Sequence, residues 1–227
     1  MANFSGKLNT IAQDTDSYLK SVFSKQNSKS HLIKPMKYGV FSGGKRFRSA
    51  IVVNTGKIFG IDYKKLIIIG AAVECLHSYS LMHDDLPSMD NDDLRRGRPS
   101  THKKFNEFTA ILAGNSLLTL AFEILSDSDL KIPQKIKATL IRALSNCSGH
   151  SGLAGGQYLD LTFENKNISK KNIINMQKKK TGELFGFCCE SIAVINEYNI
   201  KKRKLLKEIG LQIGLLFQIV DDLIDYK

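Results

Sequence analysis

The chain has 227 residues, 42% hydrophobic and 24% charged, with 17 Gly and only 4 Pro. That composition excludes a collagen-like chain, a low-complexity chain and a disulfide scaffold, and the length suffices to bury a real core. The formal net charge of +11 invites a nucleic-acid reading, but the lysines are scattered, which marks solubility rather than a binding stripe.

The N-terminal stretch MANFSGKLNTIAQDTD is polar and carries acids, so it does not read as a secretory signal. Helical periodicity then dominates. Residues 7–24 read as a helix with Leu8, Ile11, Thr15, Leu19 and Val22 on one face. A helix over 45–59 follows Gly43-Gly44, and 63–85 forms a long apolar one. Helices over 105–126, 133–148, 169–195 and 201–226 complete the set. Several are apolar nearly all round, as in AILAGNSLLTLAFEIL and GLQIGLLFQIV, which places them inside a multi-helix bundle. Clusters of Gly, Ser, Asn and Pro at 25–30, 97–101, 127–133 and 149–156 punctuate them. Period-two alternation is nearly absent, and no Asn-Gly or Asp-Gly hairpin stands between such runs. With no linker and no repeat, the expectation is a single all-α domain over 1–227. The apolar runs are broken early by charges such as Glu74, so no stretch is read as an integral membrane span. Cys75, Cys147, Cys188 and Cys189 form no CxxC pair and read as reduced core thiols of a cytosolic protein.

Eight of the fourteen aspartates lie in two short windows, Asp84, Asp85, Asp90, Asp92 and Asp93, and Asp221, Asp222 and Asp225. The first follows the apolar helix from 63, where Pro87 disrupts continuation. Carboxylates at a helix C-terminus meet partial negative charge already there, so they need a compensating cation. An oxygen-only set favours Mg²⁺, which takes one or two carboxylates and completes its shell with water and phosphate. A solvated acidic loop is the plain alternative, and suits Asp92 and Asp93 equally well. Arg95 and Arg96 follow at once, and arginine forks match phosphate geometry; an intraloop salt bridge would also explain them. In the second window Gln218, Asp221 and Asp225 share a helix face, with Asp222 adjacent. The two acidic helices could face each other across a cavity.

Gly43-Gly44-Lys45-Arg46-Phe47-Arg48 reads as a helix start. Lys45 and Arg48, at i, i+3, then point together beside free backbone N–H groups, an anion site, although a surface basic turn would look the same. His77 falls on the Asp84 side of its helix. Gly155-Gly156-Gln157 and Asp160 place polar groups among apolar ones, and Lys180-Thr181-Gly182 invites a kink within a helix. Lys178 and Lys179 read as solvated, Lys180 as functional.

The motifs DDLPSMD and LRRG, with GGKRFR upstream and DDLID late, resemble the trans-isoprenyl diphosphate synthases, or polyprenyl synthetases. The nearest pattern is the bacterial farnesyl diphosphate synthase branch. The resemblance runs in order from about residue 20 to 227. It implies an all-α bundle around a deep central cavity, a cytoplasmic homodimer, and three Mg²⁺ ions bound with diphosphate. Asp84 and Asp90 would be Mg²⁺ ligands with Asp85 supporting, and Asp221, with Asp222 and Asp225 beside it, would hold a further ion. Gly44, Lys45, Arg48, His77 and Arg96 resemble the isopentenyl diphosphate site. Arg95, Lys180, Thr181 and Gln218 resemble the catalytic, allylic-diphosphate side. The implied activity is condensation of isopentenyl diphosphate with dimethylallyl or geranyl diphosphate to farnesyl diphosphate. The alternatives are a geranylgeranyl or geranyl diphosphate synthase, or a truncated non-catalytic partner subunit. Tyr79 beside small Ser80 resembles the farnesyl-making pattern, with Tyr79 as a floor under the growing chain. No nucleic-acid partner is implied. Two features depart from the pattern: the chain stops at Lys227, without the C-terminal helices that cover the family's site, and Asn115 stands where relatives often carry aspartate.

Overall fold

A computed structural model describes residues 2–26 and 29–225, and side chains over 4–26 and 29–224. Eleven α-helices account for most of them: α1 (Ala2–Lys25), α2 (Ile33–Val40), α3 (Phe47–Ile58), α4 (Tyr63–Asp84), α5 (Thr101–Lys104), α6 (Glu107–Ser126), α7 (Gln134–Ser148), α8 (Leu153–Phe163), α9 (Lys170–Gln177), α10 (Glu183–Ile195) and α11 (Ile200–Asp225). The all-α expectation holds. The ends of the sequence, where the reading ran the last helix to 226, lie outside the described residues.

The described chain divides into two compact units, one of Met1–Asn54 and Asp62–Leu130, the other of Thr55–Ile61 and Lys131–Lys227. In the first, α4 is the central element. Asp62 caps it by accepting from the Lys65 N–H at 3.2 Å. Leu66, Ile68, Ile69 and Leu76 are fully buried, each worth about 1.5–3 kcal/mol of burial. The helix packs on α1 and α6. On α1 the buried stripe is Ile11, Thr15, Leu19 and Phe23, so Phe23 takes the place expected of Val22. In the second unit α10 packs against α7 and α11 and buries Phe185, Phe187, Cys188 and Cys189. All four cysteines are free and buried; burial pushes the Cys75 thiol up to about 12.

Five elements differ from the sequence reading. Helix α2 is not among the helices expected from the sequence; its Pro35 lies in the first helical turn, which tolerates proline. Helix α5 is one short turn, and α8 was hidden by the poor helix propensity of Gly155 and Gly156. A short antiparallel pair, β1 (Leu94–Arg95) and β2 (Arg98–Pro99), is present where none was expected. Its turn residues Arg96 and Gly97 have φ of 54° and 73°. Two positive φ values suit a two-residue hairpin, but Arg-Gly does not announce one as Asn-Gly does.

The expectation of no integral membrane segment is compatible with the fold, since among the described residues only two helices, α4 and α6, meet even the length-and-composition criterion for a span. Within the fold 78% of the apolar window of α4 is buried, as for a core helix, against 44% for α6.

Candidate active site

In the first unit the last turn of α4 carries Asp84 and Asp85. The chain then folds back, and the Asp90 N–H donates to the Asp84 carbonyl at 2.9 Å while Asn91, at φ 52°, donates to Leu86. This brings Asp84 and Asp90 together at the negative end of a helix, where a cation is favoured. Asp85 points elsewhere: it is buried and accepts from the Arg95 Nε at 2.8 Å and from Nη2. Arg95 also bridges to Asp92 at 3.0 Å. Burial pushes the Asp85 carboxyl up and Arg95 pulls it back. Asp92 and Asp93 make ion pairs with Arg95 and Lys103.

The β1–β2 turn presents Arg96 toward the Gly43–Arg46 loop. Its guanidinium donates to the Gly43 carbonyl. Gly44 has φ 111°, and a Cβ there would lie 2.5 Å from the Arg96 Nη1 and 2.7 Å from Cζ. Glycine is therefore required for its backbone angle, and a Cβ there would also displace the Arg96 guanidinium from its present place. Helix α3 starts only at Phe47, because Arg46 is left-handed at φ 47°. Lys45 thus precedes the helix, exposed, and the i, i+3 pairing with Arg48 expected of it does not apply. Arg48 in the first turn reaches His77 instead, Nη1 to Nε2 at 3.1 Å.

That contact needs a neutral ring nitrogen to accept. Burial, then the charges of Arg48, Arg96, Arg46 and Arg95, hold His77 well below its ordinary 6.5. Below 6.5 the unfolded chain takes up a proton that the folded chain refuses, so stability falls as pH drops from 6.5 toward the folded value. Thermal melts at about pH 7.5 and about pH 5.5 should show the lower melting temperature at the acid end. His77→Gln should shrink that difference.

Tyr79, half-buried, stands edge-on to His83 with ring centroids 4.7 Å apart. The His83 Nε2 lies 3.1 Å from the Ile111 carbonyl. The Ser80 hydroxyl donates to the His77 carbonyl.

In the second unit a π turn, Lys178–Gly182, joins α9 to α10, as the sequence hinted. Such turns occur often at functional positions. The Lys180 Nζ donates to the Asp160 Oδ2 on α8 at 2.5 Å. Gly156, one turn earlier on α8, lets the π turn approach: a Cβ would sit 2.5 Å from the Lys180 Cα. The Thr181 hydroxyl donates to the Gln218 Oε1 at 3.0 Å, and the Gln218 Nε2 donates to the Asp222 Oδ1 at 2.8 Å. Gln177 donates to the other Asp222 oxygen at 2.9 Å. Asp221 is half-buried; the Asp225 side chain lies outside the described residues. Asp160 and Gln157 were noticed in the sequence without a role. Gln157 is buried, and neither its Oε1 nor its Nε2 has a hydrogen-bond partner, an arrangement that suits a ligand or water oxygen.

Among the described residues no three acidic, histidine or cysteine side chains converge as a closed metal cage. Two adjoining aspartates, with oxygen donors only, fit a hard divalent cation that completes its shell with water and phosphate.

Residues 29–227 match the polyprenyl synthetase family model. The chain belongs to the polyprenyl synthetase family. It is 43% identical over 197 residues to farnesyl diphosphate synthase of Escherichia coli strain K12, covering 86% of this chain and 66% of that relative. With farnesyl diphosphate synthase of Geobacillus stearothermophilus it shares 36% over 219 residues, covering 96% of this chain and 74% of the relative. This polyprenyl synthetase chain therefore spans about two thirds to three quarters of the length of those relatives. Its fold is similar to the crystal structure of an FPP/GFPP synthase from Zymomonas mobilis, at 41% identity and a TM-score of 0.91, covering 99% of this chain and 82% of that one.

Proposed function

We propose that this polyprenyl synthetase condenses isopentenyl diphosphate with dimethylallyl or geranyl diphosphate to give farnesyl diphosphate, as a cytoplasmic enzyme. The observation that carries the reading is the folded-back Asp84–Asp90 pair beside the two-arginine turn, in a chain whose relatives include farnesyl diphosphate synthases. Up to three Mg²⁺ ions would neutralise an allylic diphosphate and make it a leaving group; Asp84 and Asp90 are the residues of the first unit that would hold Mg²⁺, and Asp221 the residue of the second. Asp85 serves by fixing Arg95, and Asp222 by fixing Gln218. Gly44, Lys45, Arg48, His77 and Arg96 take the diphosphate of isopentenyl diphosphate. Neutral His77 keeps the Arg48 guanidinium oriented without adding a charge of its own. In the second unit Lys180, Thr181 and Gln218 take the allylic side. The allylic C–O bond breaks and its electron pair leaves with diphosphate. The isopentenyl double bond attacks the cation, and a proton passes to the departing diphosphate. The Thr181 oxygen, its proton committed to Gln218, turns lone-pair density toward the cation.

Purified chain with Mg²⁺, isopentenyl diphosphate and dimethylallyl diphosphate should give a C15 product that EDTA abolishes. No prenyl product would overturn the reading. Product length tests Tyr79 separately. It lies five residues before Asp84, about 7.5 Å down the helix axis. Tyr79→Ala should shift the product to C20 and beyond; an unchanged product distribution would remove Tyr79 as the floor. The exposed Phe108, Ile111 and Leu112 on α6 support a homodimer, since an apolar face of this kind is a natural interface.

A further inference from the structure

The GGKRFR segment holds an arginine that none of the roles above uses. Arg46 is 4% exposed and left-handed at φ 47°. A non-glycine residue holds that angle only where its surroundings enforce it. Here they do so from three other elements. The Arg46 Nε donates to the Asp16 Oδ1 on α1 at 2.8 Å, and Nη2 donates to the Val40 carbonyl at the end of α2 at 2.7 Å. Nη1 lies 3.6 Å from the Glu74 Oε2 in the middle of α4. Glu74 is 3% exposed and accepts from the Ser49 N–H at 3.1 Å. The Arg46 carbonyl receives the first helical bond of α3, from Ala50 at 2.9 Å. One side chain therefore decides where α3 begins and how the loop before it turns.

We propose that Arg46 is a positioning residue for the isopentenyl diphosphate site, acting through Lys45, Arg48 and Arg96. Its three anchors fix the loop so that the Gly43 carbonyl meets Arg96, Gly44 leaves room for the Arg96 fork, and Arg48 emerges opposite His77. Lysine at this position would keep the charge but lose the planar fork that serves three acceptors at once. Removing the charge would leave Glu74 buried and unpaired, a strongly destabilising change in itself. The loop's geometry and the fold's stability therefore depend on the same residue, and the test must separate them.

The inference rests on the proposed function, and its test compares Arg46→Met, Arg46→Lys and the double variant Arg46→Met with Glu74→Gln against the parent chain. Steady-state kinetics give the KM for each substrate, calorimetry gives the Kd for isopentenyl diphosphate, and thermal melts give stability. Arg46→Met should raise the KM and Kd for isopentenyl diphosphate about tenfold or more, with the allylic KM held within about twofold. Arg46→Lys should stay nearer Met than Arg. The double variant removes the unpaired buried carboxylate, so its melting temperature should recover while its isopentenyl diphosphate KM stays high. If Arg46→Met does not fold, the double variant carries the comparison. Equal rises in both KM values, or recovery of the KM along with the melting temperature, would reduce Arg46 to a structural residue and overturn the proposal. A parent chain that neither turns over nor binds isopentenyl diphosphate would overturn the function itself, a result distinct from either.

Discussion

Asp84→Asn is expected to lower Mg²⁺-dependent prenyl transfer by about 10³-fold. Asparagine keeps the shape of the side chain and leaves the backbone bond from the Asp90 N–H to the Asp84 carbonyl intact. The charge is lost, and with it one of the two carboxylates that the folded-back backbone brings to the end of α4. The fold should not suffer. A carboxylate at the C-terminal end of α4 opposes the helix dipole, so neutralising it should leave the melting temperature unchanged or slightly higher. The pair of readouts, turnover down and stability level, separates a ligand from a structural residue. Turnover above about a tenth of the parent's would exclude Asp84 from the metal set.

Gly156→Ala should act in the opposite way, through the fold first. The added Cβ would lie 2.5 Å from the Lys180 Cα and 2.7 Å from the carbonyl carbon of Lys179. Both are backbone atoms, so no rotamer change relieves the clash, and α8 must move from the π turn. Overpacking of this kind costs about 1–3 kcal/mol or somewhat more. The same displacement pulls Asp160 from Lys180, and an error of about 1 Å at a site costs about 10²-fold in rate. Chemical denaturation and steady-state assays should report the two losses together. Asp160→Asn provides the contrast, since it weakens the Lys180 contact without the clash.

The chemistry of this chain was more legible than its supports. Asp84 and Asp90 could be found because a run of acids after an apolar helix conflicts with the helix dipole and therefore asks for a cation. Arg48 and His77 are grouped in the sequence only by the family resemblance, and the fold supplies the contact between them. The β1–β2 turn was invisible, since its positive φ values fall on Arg96 and Gly97 and no strand pattern surrounds them. Lys45 was placed on a helix because nothing in GGKRFR says that Arg46 turns left-handed. That depends on Asp16 and Glu74, each about thirty residues away in sequence. Gln157 and Asp160 stood out as polar groups, but their role depends on a turn that crosses α8 only in three dimensions. Local pattern thus revealed the residues with charge to offer, while those that hold them in place depend on distant partners.

Helix α4 is apolar enough to enter a bilayer, and α6, which packs along it, ends some 40 residues later in the chain. At about 5–20 residues per second, several seconds of synthesis separate the end of α4 from the end of α6, and for that time α4 has α1 but not α6 to pack on. That interval is when the apolar face of α4 that later meets α6 stands open, so the order of synthesis leaves the first unit's core incomplete until Ser126 is made.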